Sequence, residues 1–265
     1  MTMHGHARLK DRKTIVTGAG KGIGEAIARL FAAEGAEVAL VARSRNDLER
    51  VAADIADKGA TVHILPADMG DGEQVEAMVL KAAKLMGGLD IVVSNAAASN
   101  NDAVMDISLE DWNRVQQVNV TGTLILLRTA FPYLSARPGS NALIVSSIRG
   151  LSGTPTTSAY GASKAALNHL TRTLAVEWGP VGVRVNAILP GPVFTPLMQE
   201  AVARDVKIRD RYENCSPIAG WTLPDDIAEP ALFLASDASR KISGHLLIVD
   251  GGLVAINQDC LVLAN

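Results

Sequence analysis

Seven short apolar runs, separated by longer segments of helical periodicity, restrict this chain to a small group of folds. Several runs are apolar without alternation, which is typical of parallel strands that helices cover on both faces. The runs are KTIVTG, AEVALVA, TVHILPA, LDIVVSN, NALIVSS, VRVNAILPG and HLLIVDG. Because strand and helix alternate through most of the chain, the pattern predicts an α/β fold with a doubly wound parallel sheet and helices on both faces.

Three of the intervening segments carry apolar stripes with residues three or four positions apart, as on one face of a helix. The stripes comprise Val75, Met78, Val79 and Ala82; then Trp112, Val115, Val118, Leu124, Leu127, Phe131 and Leu134; and then Leu167, Leu170, Leu174 and Trp178. No repeat, low-complexity tract or linker divides the sequence, so we predict one domain over residues 1–265. In such sheets ligands bind beyond the carboxyl ends of the strands, so functional residues should follow strands directly.

Composition and charge argue against several other kinds of protein. With 48% hydrophobic residues, 20% charged residues and a net charge of −3, the chain predicts a globular core and gives no electrostatic reason to expect nucleic acid or an anionic membrane as partner. The opening MTMHGHARLKDRK has no apolar region typical of a secretory signal, and no apolar run is long enough to span a bilayer. Cys215 and Cys260 make no metal-binding spacing and no disulfide framework. We therefore expect a cytoplasmic protein.

A glycine-rich segment, TGAGKGIGEAIARLFAAEG, follows the first run directly and leads into a helical pattern. Its glycines, Gly18, Gly20, Gly22 and Gly24, have the spacing G-x-x-x-G-x-G, which differs from the common G-x-G-x-x-G dinucleotide motif. Glycine permits positive φ and lets backbone N–H groups approach a pyrophosphate at the start of a helix. A tight turn alone would also need glycine, but a strand before and a helix after favour a dinucleotide site.

Charge at the end of the second run indicates which dinucleotide binds. An NAD site usually has an acidic side chain there, which accepts from the ribose 2′-hydroxyl. Glu37 lies at the opposite, amino end of that run, whereas Arg43 follows its carboxyl end and Lys21 lies inside the glycine segment. Two converging cations suit a 2′-phosphate, which an arginine fork can bind through two oxygens. The sequence predicts NADP(H), and the alternative is a pair of solvated surface cations.

The stretch SAYGASK places Tyr160 one helical turn before Lys164. On a helix the phenol and the ammonium would share a face, and an opposite charge within about 4–6 Å favours the phenolate. Tyr160 would then act as general acid and base near neutral pH, giving a proton to a carbonyl oxygen or taking one from an alcohol. The alternative is a packed aromatic ring with a solvated amine beside it.

Three further polar residues could complete such a site. Ser147 ends the fifth run, thirteen positions before Tyr160, and its hydroxyl could hold the substrate oxygen. Asn95 follows the fourth run, and Asn119 lies in the helical stretch QQVNVTGTL, where its backbone or amide could hold a water that connects Lys164 to solvent. Ser147 alone could cap a strand end and Asn119 could merely bond backbone. Together the residues favour a site for hydride transfer to a carbonyl carbon.

These motifs resemble those of the short-chain dehydrogenase/reductase family, and the similarity extends from Leu9 to Gly252. It is carried by TGAGKGIG, SNAA, the asparagine at 119, the serine pair before YGASK, NAILPGPVFT and SGHLLIVDGG. The resemblance implies a single Rossmann-type domain, no metal, and a homotetramer or homodimer. It also implies a catalytic set of Asn119, Ser147, Tyr160 and Lys164. The chain departs from the family at Ala97, where glycine is most common after Asn-Ala, and the added methyl would lie close to the cofactor.

The resemblance adds contacts that the motifs alone do not give. Asp68 would contact the adenine, Asn95 the ribose, and the segment from Pro190 to Thr195 the nicotinamide; the alternative for Asp68 is a cap on the helix that follows. Lys21 with Arg43 is similar to the NADP-preferring members. The predicted cofactor contacts are Gly18, Gly20, Lys21, Gly22, Ile23, Gly24, Arg43, Asp68, Asn95, Tyr160, Lys164, Pro190, Gly191, Val193 and Thr195.

Together these features predict an NADP(H)-dependent oxidoreductase that acts on a small carbonyl compound or secondary alcohol, with Tyr160 as general acid and base. Reduction of 3-oxoacyl thioesters is an alternative, and so is an NADP-binding regulator without turnover. Substrate choice is expected in residues 98–102, in residues 149–157 and in a substrate lid over residues 194–217. Arg149 could meet a substrate carboxylate and the lid cations an anionic substrate, the alternative being a solvated helix face. The closing NQDCLVLAN could cover another subunit or fray.

Overall fold

The seven predicted runs form one sheet in the computed structural model, which describes residues 7–256. The strands are β1 (Lys13–Thr17), β2 (Glu37–Val41), β3 (Val62–Ile64), β4 (Ile91–Ser94), β5 (Asn141–Val145), β6 (Arg184–Pro190) and β7 (Leu246–Val249). Neighbouring strands are all parallel, in the order β3-β2-β1-β4-β5-β6-β7. This is the predicted doubly wound, Rossmann-type sheet, and its strand order reverses between β1 and β4.

Helices cover both faces of the sheet, which explains why the strands carry apolar residues without alternation. The helices are α1 (Gly22–Ala33), α2 (Arg45–Ala56), α3 (Gly72–Met86), α4 (Leu109–Gln116), α5 (Gly122–Ser135), α6 (Ser158–Trp178), α7 (Pro196–Arg204), α8 (Lys207–Tyr212) and α9 (Pro224–Ala235). One hydrophobic core lies under α1, α2 and α9, and a second core lies under α3, α5 and α6.

The predicted stripes on α3 and α6 are confirmed, but the stripe that crosses α4 and α5 is interrupted. Leu124 is 42% exposed, whereas Leu126 and Leu127 are buried. A π-helical turn, Gln117–Thr121, joins α4 to α5. Because this turn accommodates an extra residue, it rotates α5 about its axis relative to the periodicity of α4. The prediction that Leu124 belongs to the core is therefore wrong.

Residues 7–256 contain no helix that is both long and apolar enough to cross a membrane. In the same part of the chain, His, Cys, Asp and Glu side chains form no group of three or more that could hold a metal ion. The closing segment NQDCLVLAN, with Cys260, lies outside the described residues.

Candidate active site

A cleft of about 1720 Å³ opens at the carboxyl ends of the strands, at the reversal of strand order. Because ordinary small-molecule pockets measure roughly 300–1,000 Å³, this cleft has room for a dinucleotide beside a substrate. One end, here called the cofactor end, is lined by the glycine segment and by residues that follow β2 and β3; the other, the substrate end, is lined by residues that follow β5 and by α7 and α8. All predicted cofactor contacts except Gly24 line this cleft.

Backbone geometry explains the glycines after β1. Gly18 and Gly22 have φ angles of 67° and 61°, in the left-handed region that favours glycine. Gly24 is buried, and a Cβ there would collide with the carbonyl oxygen of Gly18. Gly24 therefore lets α1 pack tightly against the loop and does not reach the cleft itself. The first turn of α1 has no side-chain cap, which leaves its N–H groups available to a phosphate.

Asn95, after β4, fastens the glycine loop to the sheet. Its Nδ2 donates to the carbonyl oxygens of Thr17 at 2.9 Å and Gly18 at 3.4 Å, and its backbone N–H donates to Thr17 Oγ1 at 2.9 Å. Thr17 Oγ1 also accepts from the N–H of Ala96. Because the side-chain NH₂ of Asn95 is occupied by the loop, the predicted ribose contact is left to its Oδ1.

The end of β5 and the start of α6 bring Ser147 and Tyr160 together. Ser147 begins a short 3₁₀ turn, Ile148–Gly150, and its Oγ accepts from the N–H of Arg149 at 3.2 Å. The preceding Ser146 bonds to α6 instead, donating from Oγ to Asn168 Oδ1 at 2.6 Å. Of the two serines, Ser147 is therefore the one whose hydroxyl lowers the pKa of the Tyr160 phenol.

The Tyr160 phenol is a weaker acid in this structure than the sequence predicts. Burial raises its pKa above the ordinary value, and the Ser147 hydroxyl and the Arg149 guanidinium oppose that shift because both stabilise the phenolate. Lys164 Nζ lies 5.3 Å from the ring centroid and donates to the carbonyl oxygen of Val145 at 2.8 Å. The two side chains share a face, as expected. The ammonium lies over the ring and bonds a carbonyl, so it is not among the groups that lower the phenol's pKa here.

Lys164 is a buried cation, with 2% of the residue exposed. Burial lowers the pKa of its ammonium to about 8, because transfer out of water disfavours the charged form. No carboxylate among residues 7–256 forms an ion pair with it. The fold therefore keeps an ammonium with a pKa of about 8 over the Tyr160 ring.

Asn119 lies in the π-helical turn, is buried, and does not line the cleft. Its Oδ1 accepts from the N–H of Ala98 at 2.7 Å, and its Nδ2 donates to Ala98 O and to Ser163 Oγ, both at 2.9 Å. Ser163 Oγ in turn donates to the carbonyl oxygen of Tyr160 at 2.7 Å. Since the amide is occupied by protein partners, only the backbone of Asn119 remains for the predicted water. The side chain instead joins the segment after β4 to α6.

Known proteins with similar sequences and structures place the chain in a family. A family model described as enoyl-(acyl carrier protein) reductase matches residues 18–254. A solved short-chain type dehydrogenase/reductase from Mycobacterium marinum superposes with a TM-score of 0.87 at 31% identity, covering 95% of this chain and 98% of that one. The chain belongs to the short-chain dehydrogenase/reductase family. It is also similar to 2-(S)-hydroxypropyl-CoM dehydrogenase 3 of Xanthobacter autotrophicus (36% identity, 94% of this chain, 99% of the relative) and to a 3-oxoacyl-acyl-carrier-protein reductase of Thermotoga maritima (32%, 93% and 99%).

The cofactor end of this short-chain dehydrogenase/reductase fits the nicotinamide dinucleotide that the family implies. The glycine loop faces the segment after β6 so closely that a Cβ at Gly22 would lie 3.2 Å from Thr195 Cγ2. Thr195 begins α7, where its side chain accepts from the N–H of Met198 at 3.4 Å. Pro190, Gly191 and Val193 line the same wall. The loop, the uncapped start of α1 and this wall together could hold a pyrophosphate and a nicotinamide.

Asp68 lines the cleft of the short-chain dehydrogenase/reductase and does not cap a helix. The cap of α3 is Asp71, whose side chain accepts from the N–H of Gln74 at 3.1 Å. Asp68 Oδ1 accepts from the N–H of Gly70 at 2.8 Å, two residues on, in a local turn. The alternative function of Asp68 as a helix cap is therefore wrong, and its contact with adenine stays a prediction.

Sequence reasoning missed Arg50, and it placed Tyr212 in the predicted lid without its contact to Arg149. Arg50, on α2, donates to the carbonyl oxygen of Gly20 at 2.8 Å and pairs with Glu25 at 2.7 Å, which holds the glycine loop from outside. Tyr212, on α8, accepts a hydrogen bond from Arg149 Nη2 at 3.4 Å. Arg50 lies on a helix outside every motif, and no pattern in the sequence marks its contact with the glycine loop.

Two other predictions concern the surface of the short-chain dehydrogenase/reductase cleft. Ala97, the departure from the family pattern, is exposed in the cleft wall and has no positive φ, so the backbone accommodates its methyl without strain. The predicted lid contains α7 and α8, and residues of both line the substrate end. Opening and closing of this segment stay a prediction.

Proposed function

We propose that this short-chain dehydrogenase/reductase interconverts a carbonyl compound and a secondary alcohol with NADP(H), using Tyr160 as general acid and base. The observation that supports this best is the meeting of Ser147, Tyr160 and Lys164 in one wall of a cleft that continues to the glycine loop. A regulator without turnover would have no need to bury an ammonium against a phenol ring, since that burial costs stability.

Each side chain has a separate part in the reaction. When bound, the nicotinamide supplies or accepts the hydride. The Ser147 hydroxyl donates to the substrate oxygen and orients it next to the phenol. Tyr160 gives its Oη proton to that oxygen during reduction and takes it back during alcohol oxidation. Lys164, charged below a pH of about 8, bonds Val145 O in this structure and would have to turn towards Tyr160 Oη to stabilise the phenolate as it forms.

The backbone of Asn119 completes the proposed proton path. Its side chain is held by Ala98 and Ser163, which fixes the π-helical turn next to α6. The backbone carbonyl could then hold a water that exchanges protons between Lys164 and solvent. In this role Asn119 is a positioning residue that does not touch the substrate.

NADP(H) is proposed over NAD(H) because of the charges at the adenine side of the cofactor end. Lys21 and Arg43 are both exposed there, and neither is paired with a carboxylate within residues 7–256. Residues 42–44, at the carboxyl end of β2, include no acid that would accept from a ribose 2′-hydroxyl. A 2′-phosphate would be bound by both cations.

Replacing Lys21 and Arg43 together by Ala should lower kcat/KM for NADPH by at least about 100-fold, since each charge-assisted hydrogen bond contributes about 1.5–3 kcal/mol. The value for NADH should change less than threefold. Steady-state kinetics with both cofactors measures the two effects. Arg45→Ala is the matched control, because Arg45 is exposed nearby but pairs with Glu49 and does not line the cleft. A wild-type preference for NADH would contradict the assignment.

A second candidate function is reduction of 3-oxoacyl thioesters, favoured by the relative from Thermotoga maritima and by the description of the family model. The hydroxypropyl group in the name of the Xanthobacter relative is a secondary alcohol, which favours the broader proposal. The test is to incubate the full chain with NADPH or NADH and a panel of ketones, diketones, quinones, keto sugars and 3-oxoacyl thioesters, following the absorbance of reduced nicotinamide. Turnover confined to thioesters would select the second candidate, and no turnover of any compound would contradict both.

We also infer a cytoplasmic protein of one domain that assembles as a homotetramer or homodimer, with residues 194–217 acting as a lid. Large apolar side chains exposed outside the cleft support self-association: Leu109 is 79% exposed and Val176 is 77% exposed. Light scattering of the purified chain measures the number of subunits.

A further inference from the structure

Two arginines at the substrate end of the cleft, Arg149 and Arg211, have no carboxylate partner within residues 7–256. Most arginines in this part of the chain do pair with Asp or Glu, including Arg204 and Arg209 on the same lid segment. Arg149 is half-buried, and its one side-chain hydrogen bond there goes to the hydroxyl of Tyr212. A guanidinium has five N–H donors, so most of those of Arg149 are left for another partner.

The acidic side chains that line the cleft lie at the end opposite to the two arginines. The carboxylates that line it, Asp47, Asp68 and Asp71, follow β2 and β3 at the cofactor end. Of residues 7–256, those that line the cleft after β5 and on α7 and α8 include no acid; among them are Ser152, Thr154, Leu197, Met198, Ala201 and Ile208. A cation that is partly removed from water is costly unless an anion accompanies it. No carboxylate of residues 7–256 lines this end, so we take the substrate as the source of the anion.

Arg149 is also close to the reacting group. The positive charge of its guanidinium lowers the pKa of the Tyr160 phenol. Its backbone N–H donates to Ser147 Oγ, the hydroxyl that would orient the substrate oxygen. An anion held by the Arg149 side chain would therefore belong to the molecule whose carbonyl lies against Tyr160. Tyr212 holds the guanidinium from the lid side at 3.4 Å, which restricts its orientation.

We propose that the substrate carries a carboxylate a few bonds from its carbonyl carbon, and that Arg149 and Arg211 bind this carboxylate at the substrate end of the cleft. The proposal rests on the proposed function, because it names the class of ketone or alcohol that the same site accepts. Arg149 provides the inner contact, since an arginine fork can bind both carboxylate oxygens. Arg211, exposed on α8, provides the outer contact and would join it when the lid segment covers the cleft.

The test compares keto acids with their neutral amides of the same shape. The probes are 4-oxopentanoate with 4-oxopentanamide, and 4-oxocyclohexanecarboxylate with its carboxamide. In the wild-type protein kcat/KM should be at least about 10-fold higher for the acid than for the amide, as expected for charge-assisted hydrogen bonds. Arg149→Met should reduce that ratio to about one, Arg211→Met should reduce it in part, and Arg149→Lys should restore part of it. The ratio cancels any general effect of Arg149 on the acidity of Tyr160.

Arg209→Met is the matched control, because Arg209 is on α8, pairs with Glu213 and does not line the cleft. Its acid-to-amide ratio should equal that of the wild type. A wild-type ratio of one or less, or an unchanged ratio in both Arg149→Met and Arg211→Met, would overturn the proposal while leaving the oxidoreductase assignment intact. If no probe is turned over, calorimetric titration with cyclohexanecarboxylate and cyclohexanecarboxamide decides. Binding of the acid alone, lost in Arg149→Met, supports the subsite, and equal binding or no binding of the two overturns it.

Discussion

Tyr160→Phe should lower kcat by at least about 100-fold with every substrate that the wild type turns over, because general acid–base catalysis contributes roughly 10²–10⁴-fold. Phenylalanine keeps the ring that packs under Lys164 and removes only Oη, the atom that Ser147 and Arg149 act on. Binding of NADPH, measured by fluorescence, should change less than threefold, and the melting temperature should stay within a few degrees. Loss of turnover with intact cofactor binding would assign the proton transfer to this hydroxyl.

The matched control is Tyr133→Phe, which makes the same chemical change on α5, where Tyr133 packs against the core beneath the sheet and does not line the cleft. Its kcat should equal that of the wild type within a factor of two. Should Tyr160→Phe retain turnover within a few-fold of the wild type, the acid–base assignment is wrong, and the substrate proton must come from another group.

Lys164→Met should have opposite effects on activity and on stability. Activity falls, because no cation remains to stabilise charge at the Tyr160 ring. Stability rises, because the substitution removes a buried ammonium from the folded state. Burial lowers the pKa of that ammonium from 10.5 to about 8, which destabilises the folded state by about 3 kcal/mol at neutral pH. Loss of the charge-assisted hydrogen bond to Val145 O costs about 1.5–3 kcal/mol, so the free energy of unfolding should rise by up to about 1.5 kcal/mol at pH 7.

The pH dependence of stability separates this effect from other consequences of the substitution. Between pH 8 and pH 10 the unfolded chain keeps the proton on Lys164 while the folded chain releases it, so wild-type stability should rise with pH by up to about 1.4 kcal/mol per unit. Below pH 8 both states are protonated and this contribution is flat. Above pH 10 the raised pKa of Tyr160 acts in the opposite sense, because the unfolded tyrosine ionises first.

Urea denaturation at a series of pH values from 7 to 10 measures the rise in stability that Lys164 causes. The difference in unfolding free energy between Lys164→Met and the wild type should shrink steadily above pH 8. Lys84→Met, an exposed lysine in the last turn of α3, is the control and should follow the wild-type slope. If the difference between Lys164→Met and the wild type does not change with pH, burial does not lower the pKa of the Lys164 ammonium.

The sheet could be predicted from the sequence because most of its strands are buried on both faces and are marked by continuous apolar runs. All seven runs became strands, and the glycine segment lies where a strand-then-helix pattern places it. Tyr160 and Lys164 could be paired for a similar reason: their separation of one helical turn is a local property. Features that depend on a single strand or helix can therefore be predicted from the sequence alone.

Properties that depend on two distant segments could not be predicted. The amide of Asn95 looks like a ligand contact in the sequence, yet its NH₂ group serves the loop after β1, 78 and 77 positions away. The acidity of Tyr160 depends on the depth of the cleft and on Arg149, whose orientation is set by Tyr212 from the lid, 63 positions on. Burial and long-range hydrogen bonds decide these cases, and neither leaves a periodic signal in the sequence.

The π-helical turn at Gln117–Thr121 also fixes how many residues this part of the chain must have. Removing one residue there would let α4 run into α5 as an ordinary helix, but every later side chain would turn by about 100° around the axis. Leu126 and Leu127 would turn away from the core, and the hydrogen bonds of Asn119 to Ala98 and Ser163 would be lost. The length of this segment is therefore fixed by its packing: shortening it by a single position would rotate α5 and break the hydrogen bonds that join it to α6.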